Sequence, residues 1–299
     1  MSDCASSLAA SAPTGRSMLS TLGVLRVSGD DARPFLHGQF TADVKRLQAG
    51  RGRLAAWCTP KGRVLFLMHV LCVGDAFLLI LPAGELPGLL KRLRLFVLRA
   101  KVQIEDLSPA WSIMGLAGDD ALPVAAGQLR QADDGTFLYR LPGTCAVGYV
   151  IGAQADVQAR WDRGSAPVLD TAEWEALEIG AGLPRIEGPL AEHFLPQELG
   201  LEQLDGLHFD KGCYPGQEVI ARLKYRGQVK SGLFRGTTSG DLAPGDRLYR
   251  ADASATVGEV LRVASLADGT RVLAVVDFDA ANAPLHLRAS DGPPIAFEP

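Results

Sequence analysis

The 299-residue chain carries 30 Lys and Arg against 34 Asp and Glu, a net charge of −4, with 47% hydrophobic and 21% charged residues. This suits one large domain or two to three small ones with a sizeable core, and it argues against both bulk disorder and a globally polyanion-binding surface. Five scattered cysteines, Cys4, Cys58, Cys72, Cys145 and Cys213, with no C-x-x-C spacing, argue against a disulfide framework or a self-contained zinc or iron–sulfur site, and suit a reducing cytoplasm.

Met1 to Ser17 is rich in Ala and Ser and lacks the basic start and apolar run of a secretory signal, so a disordered tail is expected there. Thr21 to Ser28 predicts a strand. Asp30 then suits the N-cap of a helix from Asp31 to Gln39, with Pro34 near its start. Leu54–Thr59 predicts a short strand. Val64–Val73 predicts a longer one, too short for a bilayer, and Gly74-Asp75 turns it into Ala76–Leu81. Leu86, Leu89, Leu90, Leu93 and Val97 recur at helical spacing, which predicts an amphipathic helix over Glu85–Leu98. Val102–Leu107 returns as a strand, so this lobe is a mixed sheet with helices packed on it.

A second pass of similar element types hints at a duplicated α+β unit. It has strands at Trp111–Leu116, Thr136–Leu141 and Val147–Gly152, a short helical stretch after Gly118-Asp119, and a helix over Gln154–Trp161. Asp170 and Glu173 then make a capping-box pattern, opening a helix with Trp174, Leu177 and Ala181 on one face. Gly188–Phe209 reads as loop with a helical piece over Glu198–Asp205. After Gly227, short apolar runs alternate with turns, which predicts a small barrel-like β domain. The expected division is a tail over 1–17, an α+β region over 18–228 and a C-terminal β-barrel over 229–299. Within the α+β region, 18–108 groups with 168–228, and 109–167 forms the other sublobe.

The densest chemistry is Lys211-Gly212-Cys213-Tyr214-Pro215-Gly216-Gln217-Glu218. Lys211 and the free N–H groups of a helix starting near Gly216 would favour a Cys213 thiolate, while a small residue buried at a tight turn fits the same cysteine. Glu218 suits a ligand amine or a helix-start N–H, and Tyr214 suits ring stacking or core closure. Gly212 and Gly216 are structural either way. For Trp174, core packing stands ahead of stacking on a heterocycle. Lys61 and Arg63 flank Gly62 at a strand turn, where they would hold a carboxylate or simply face water. Arg222, Lys224, Arg226 and Lys230 follow with no acid among them and would receive an anionic tail or an RNA backbone. The basic residues between Lys91 and Lys101 read as a solvated helix face. There is no P-loop, dinucleotide fingerprint or H-E-x-x-H motif.

Lys211 to Glu218 resembles the K-G-C-[YF]-x-G-Q-E signature of the YgfZ family of folate-binding proteins, which is related to the glycine cleavage T-protein, an aminomethyltransferase. Gly38-Gln39-Phe40-Thr41-Ala42-Asp43-Val44, Lys61-Gly62-Arg63, Trp174 with Ala181-Gly182-Leu183-Pro184, and Phe194-Leu195-Pro196-Gln197 resemble further family segments in order, from about Met18 to Arg235. The resemblance implies an α+β fold of three lobes around a central opening: two related α+β lobes and a terminal β-barrel. It implies that folate, as tetrahydrofolate or a derivative, binds in the opening, held by Trp174, Lys61, Arg63, Tyr214, Gln217 and Arg222. It implies a functional thiol at Cys213, flanked by Lys211 and Glu218 and facing the opening. The implied role is accessory: helping iron–sulfur client enzymes mature, with a link to tRNA modification, without a membrane or a cluster of its own. Leu22 stands where some relatives carry a second tryptophan. Leu81-Pro82-Ala83-Gly84-Glu85 stands where T-proteins carry an Asp, which argues against the alternative of aminomethyl transfer or demethylation. A non-catalytic RNA- or protein-binding adaptor, resting on Arg222 to Lys230, is the other alternative.

Overall fold

The computed structural model describes residues 14–118, 121–143, 145–251 and 254–297. Gly15–Met18 (β1) is already a strand, so residues 15–17 do not belong to the expected tail, and residues 1–13 lie outside the described ones.

The first lobe runs through β2 (Leu22–Ser28), α1 (Ala32–Gln39), β3 (Arg51–Cys58), β4 (Val64–Val73), β5 (Ala76–Pro82), α2 (Leu86–Val97) and β6 (Gln103–Asp106). Its five-stranded sheet has the order β3-β4-β5-β2-β6. The unbroken apolar run of β4 follows from burial on both faces. Phe66, Met68, Val70 and Cys72 join the core under α1 and α2, while Leu67 and Leu71 join the core shared with the rest of the chain. α1 is capped at Asp31 rather than Asp30. The Asp31 carboxylate does not cap it, accepting instead from the Lys101 N–H at 2.8 Å.

The second lobe runs through β7 (Trp111–Ala117), β8 (Leu129–Gln131), β9 (Phe137–Arg140), β10 (Val147–Ala153) and α3 (Gln154–Arg163), and its sheet has the order β1-β7-β10-β9-β8. In both lobes the opening strand is flanked by the fourth, and a helix follows the fourth. The fifth strand comes after the unit in one case (β6) and before it in the other (β1). The duplication expected from element types is therefore present in topology. The helical stretch expected after Gly118-Asp119 would start on residue 120, outside the described ones, and residues 121–127 are bends and turns.

α4 (Thr171–Gly180) is opened by the expected capping box, with the Asp170 carboxylate accepting from Glu173 N and the Glu173 carboxylate accepting from Asp170 N, each at 2.8 Å. It packs on β7 through Trp174 and on the barrel, so this part of 168–228 does not group with the first lobe alone. Residues 198–205 form turns instead of a helix, because Gly200 and Asp205 adopt φ of 64° and 56°. After α5 (Gln217–Arg226), the strands β11 (Ser231–Thr238), β12 (Arg247–Arg250), β13 (Thr256–Leu266), β14 (Gly269–Asp277), β15 (Leu285–Leu287) and β16 (Pro294–Phe297) close into a barrel. One core joins the three lobes, including Leu71, Tyr139, Ile151, Trp174, Leu201 and Val275. Among the described residues no helix is long and apolar enough to cross a membrane.

Candidate functional site: the opening between the lobes and the cysteine segment

The lobes do not close completely on one another. They leave a cleft of about 810 Å³, to which β3 contributes Arg51 and Arg53, the second lobe Gly127 and Gly143, and the barrel Leu233, Arg235 and Phe278. The loop between α4 and α5 adds Gln197, Leu204 and Asp205. This volume suits a ligand of drug size. Arg53 pairs with Asp205 at 3.0 Å, and Arg235 donates to the Gly180 carbonyl at 2.7 Å. Arg51 is exposed and, among the described residues, makes no side-chain hydrogen bond or ion pair.

Gln197 is the most informative residue of the wall. It is 8% exposed, and its Nε2 donates to the Ile220 carbonyl of α5 at 2.8 Å. Its Oε1 is buried without a hydrogen-bond partner. Such an acceptor costs roughly 1–3 kcal/mol unless something satisfies it. Gln197 lines the cleft, so an adjustment of its side chain would offer that oxygen to an N–H donor there.

None of the residues expected to hold folate lines this cleft. Trp174 is 1% exposed and lies in the shared core, where a Cβ on Gly115 would sit 2.6 Å from its ring. Its Nε1–H donates to Glu178 at 2.9 Å, and the Tyr149 hydroxyl donates to the same oxygen at 2.6 Å. Arg262 and Arg185 grip the other carboxylate oxygen. Burial pushes the Glu178 carboxyl up, but Arg185, Arg262 and the Tyr149 hydroxyl outweigh it and hold it well below the usual range. Trp174 is therefore a buried partner of a charged hub, with no face left for a pterin.

The cysteine segment sits elsewhere and is built as a joint. The Lys211 ammonium donates to the carbonyls of His37, Phe40 and Ala42 at the C-terminal end of α1 and lies 4.7 Å from the Tyr214 ring centroid. Burial holds Lys211 down at about 8, against the pull of Asp43. Its charge is thus spent on α1 rather than directed at the thiol. Tyr214 is 6% exposed, and burial pushes its hydroxyl up. Gly216, with φ 81°, caps α5, and a Cβ there would come within 2.5 Å of the Thr59 carbonyl and 2.7 Å of Gly62 Cα. The Lys61-Gly62-Arg63 turn therefore docks backbone to backbone on the start of α5. Arg63 donates to the His193 carbonyl at 2.7 Å and to Glu198 at 3.3 Å, while Lys61 points to solvent. Glu218 is exposed in the first turn of α5, where a carboxylate suits the helix dipole. Gln217 opens that helix, and Arg222 is exposed on it.

Cys213 itself is exposed, four residues before α5, and does not face the opening as expected. Gly212 lies over His37: a Cβ there would sit 3.4 Å from Nε2. The opening and the thiol are thus separate places, linked through α5 by Gln197. The sequence places Gln197 in the family-like segment Phe194-Leu195-Pro196-Gln197 but assigns it no role, because an uncharged amide does not announce what it faces. Arg51 was missed because it lies just before the stretch expected to be β3.

The GCVT N-terminal domain model matches residues 15–148. The tRNA-modifying protein YgfZ of Sodalis glossinidius is 32% identical over 92% of this chain and 89% of its own length. That of Colwellia psychrerythraea is 31% identical over 72% and 69%. Among solved structures, the glycine cleavage system aminomethyltransferase T from Bartonella henselae superposes with a TM-score of 0.76 over 96% of this chain and 86% of its own. At 16% identity that is a likeness of fold.

Proposed function

The chain belongs to the YgfZ family, and on that premise we propose that it is a folate-binding accessory protein. It supports assembly or repair of iron–sulfur enzymes through the Cys213 thiol, with the link to tRNA modification that its relatives' names carry. The observation behind this reading is Gln197: it lines the opening, its buried carbonyl oxygen has no partner, and its amide holds the helix that follows the cysteine segment. The opening fits a folate. Gln197 Oε1 would accept from an N–H of the pterin edge, and Phe278, half exposed, offers an aromatic edge. Arg51 would take a carboxylate of the glutamate tail, as guanidinium groups do. When bound, a reduced folate supplies a redox-active, one-carbon-carrying ring. Cys213 supplies one exposed thiol, enough for a transient ligand to a client's cluster but not for a resident one.

The test combines calorimetric titration of tetrahydrofolate with the rate of Cys213 alkylation by iodoacetamide. Gln197→Leu is expected to weaken folate about tenfold or more, and folate is expected to change the alkylation rate in the wild type only. Unaltered affinity in both Gln197→Leu and Arg51→Ala would overturn the binding site. Complete rescue of a deletion strain by Cys213→Ala would overturn the role of the thiol.

A further inference from the structure

α2 buries Leu86, Leu89 and Leu93 against the first sheet, so its opposite face looks outward. On that face Leu95 is 66% exposed, and Leu98, just past the helix end, is 87% exposed. Leu98 has φ 44° and ψ −105°, in a turn closed by the Ala100 N–H on the Val97 carbonyl at 2.8 Å. Those angles are near the first central position of a type II′ turn, which glycine dominates. A leucine there is strained and gains nothing from burial. Backbone strain of this kind concentrates at functional surfaces.

Around the two leucines stand Lys91, Arg92, Arg94 and Arg99, all exposed and none with a hydrogen bond or ion pair among the described residues. No acid occurs between Leu86 and Val102, although the chain as a whole carries −4. We propose that this face docks an acidic amphipathic segment of a partner protein. The segment's apolar side chains seat on Leu95 and Leu98, and its carboxylates meet Lys91, Arg92, Arg94 and Arg99. The charge alone would suit a phosphate backbone or an anionic lipid, but the leucines favour protein. A phosphate backbone has no use for them. Three exposed apolar residues, Leu95, Phe96 and Leu98, at the end of a helix whose apolar stripe is already buried are too few to anchor it in a bilayer. No residue of α2 lines the opening, so the surface is available whether or not the opening is filled.

The test uses the full chain and a labelled amphipathic peptide with Leu on one helical face flanked by Glu, against a scrambled peptide of equal composition. Fluorescence anisotropy is expected to show the patterned peptide binding about tenfold more tightly. Leu95→Ser/Leu98→Ser should reduce it to the scrambled level, and Arg92→Glu/Arg94→Glu should abolish it. Leu98→Gly guards against misfolding: it relieves the turn, so the melting temperature should hold or rise while affinity falls. Equal binding of the two peptides, or no binding of either, would overturn the proposal. So would affinity unchanged in Leu98→Gly and in the double serine variant. So too would bulk tRNA or phosphatidylglycerol vesicles binding through these residues while the patterned peptide does not.

Discussion

Replacing Trp174 by phenylalanine separates a core residue from a ligand platform. The indole is 1% exposed, and its Nε1–H reaches the Glu178 carboxylate at 2.9 Å. Losing a hydrogen bond to a charged acceptor costs about 1.5–3 kcal/mol. The low end applies here, because the Tyr149 hydroxyl still donates to the same oxygen. Shrinking the ring leaves a void against Gly115, for about 1 kcal/mol more. A loss of roughly 2.5 kcal/mol is expected from these two contributions, read from urea unfolding followed by circular dichroism. Folate affinity, measured by calorimetry on folded protein, should stay within about twofold of wild type, a difference under half a kcal/mol. The reasoning would fail if stability were nearly unchanged while folate binding collapsed. Gly115→Ala forces a Cβ to within 2.6 Å of the same ring and should destabilise without touching the ligand.

Gly216→Ala should cost about 2 kcal/mol or more, since it combines a positive φ with a backbone collision at Thr59 and Gly62; a urea midpoint at the wild-type value would contradict that docking. Acid should destabilise the fold in two stages. Burial holds the His69 imidazole down at about 4, so its contribution is complete above its unfolded value near 6.5 and is lost as pH falls from there. Glu178, also held low in the fold, adds its own loss below about 4.5. In His69→Phe the pH dependence of the unfolding midpoint between about 6.5 and 4.5 should therefore be shallower, and an unchanged slope would remove His69 from the account.

The sheets and the main helices were legible because their burial is periodic or continuous. The unbroken apolar run of Val64–Val73 predicts a strand, and Asp170 with Glu173 announces α4 and makes both capping bonds. What escaped was non-local. β1 is four residues long, and only its pairing with β7 makes it a strand. Gly200 and Asp205 break a plausible helix through a left-handed backbone that composition does not reveal. The cysteine segment stood out, but its density of chemistry did not say where it points. Burial of Trp174 is settled by Gly115, Tyr149 and Glu178, residues distant in sequence or hidden one turn along the same helix. The opening was expected, but its wall was assigned to the wrong residues, because Arg51 and Gln197 meet only through the fold.

A lysine, a tyrosine and a glycine near a cysteine suggest a reactive centre, yet each has a mechanical job. Lys211 ties off three carbonyls at the end of α1, Tyr214 closes the core beside it, and Gly216 lets the strand turn of Gly62 come within backbone contact. The segment is a joint between two parts of the first lobe that leaves one thiol exposed. Lys211→Met keeps the length of the side chain and removes its three donors, so the carbonyls of His37, Phe40 and Ala42 lose their shared partner. A loss of about 2 kcal/mol is expected from deleting this charged donor set. Hydrogen exchange should rise in the last turn of α1, and Cys213 should become faster to alkylate as the joint loosens. If Lys211 served the thiol by its charge instead, Lys211→Met would slow alkylation and leave exchange in α1 unchanged. The two readings therefore predict opposite signs for the same rate.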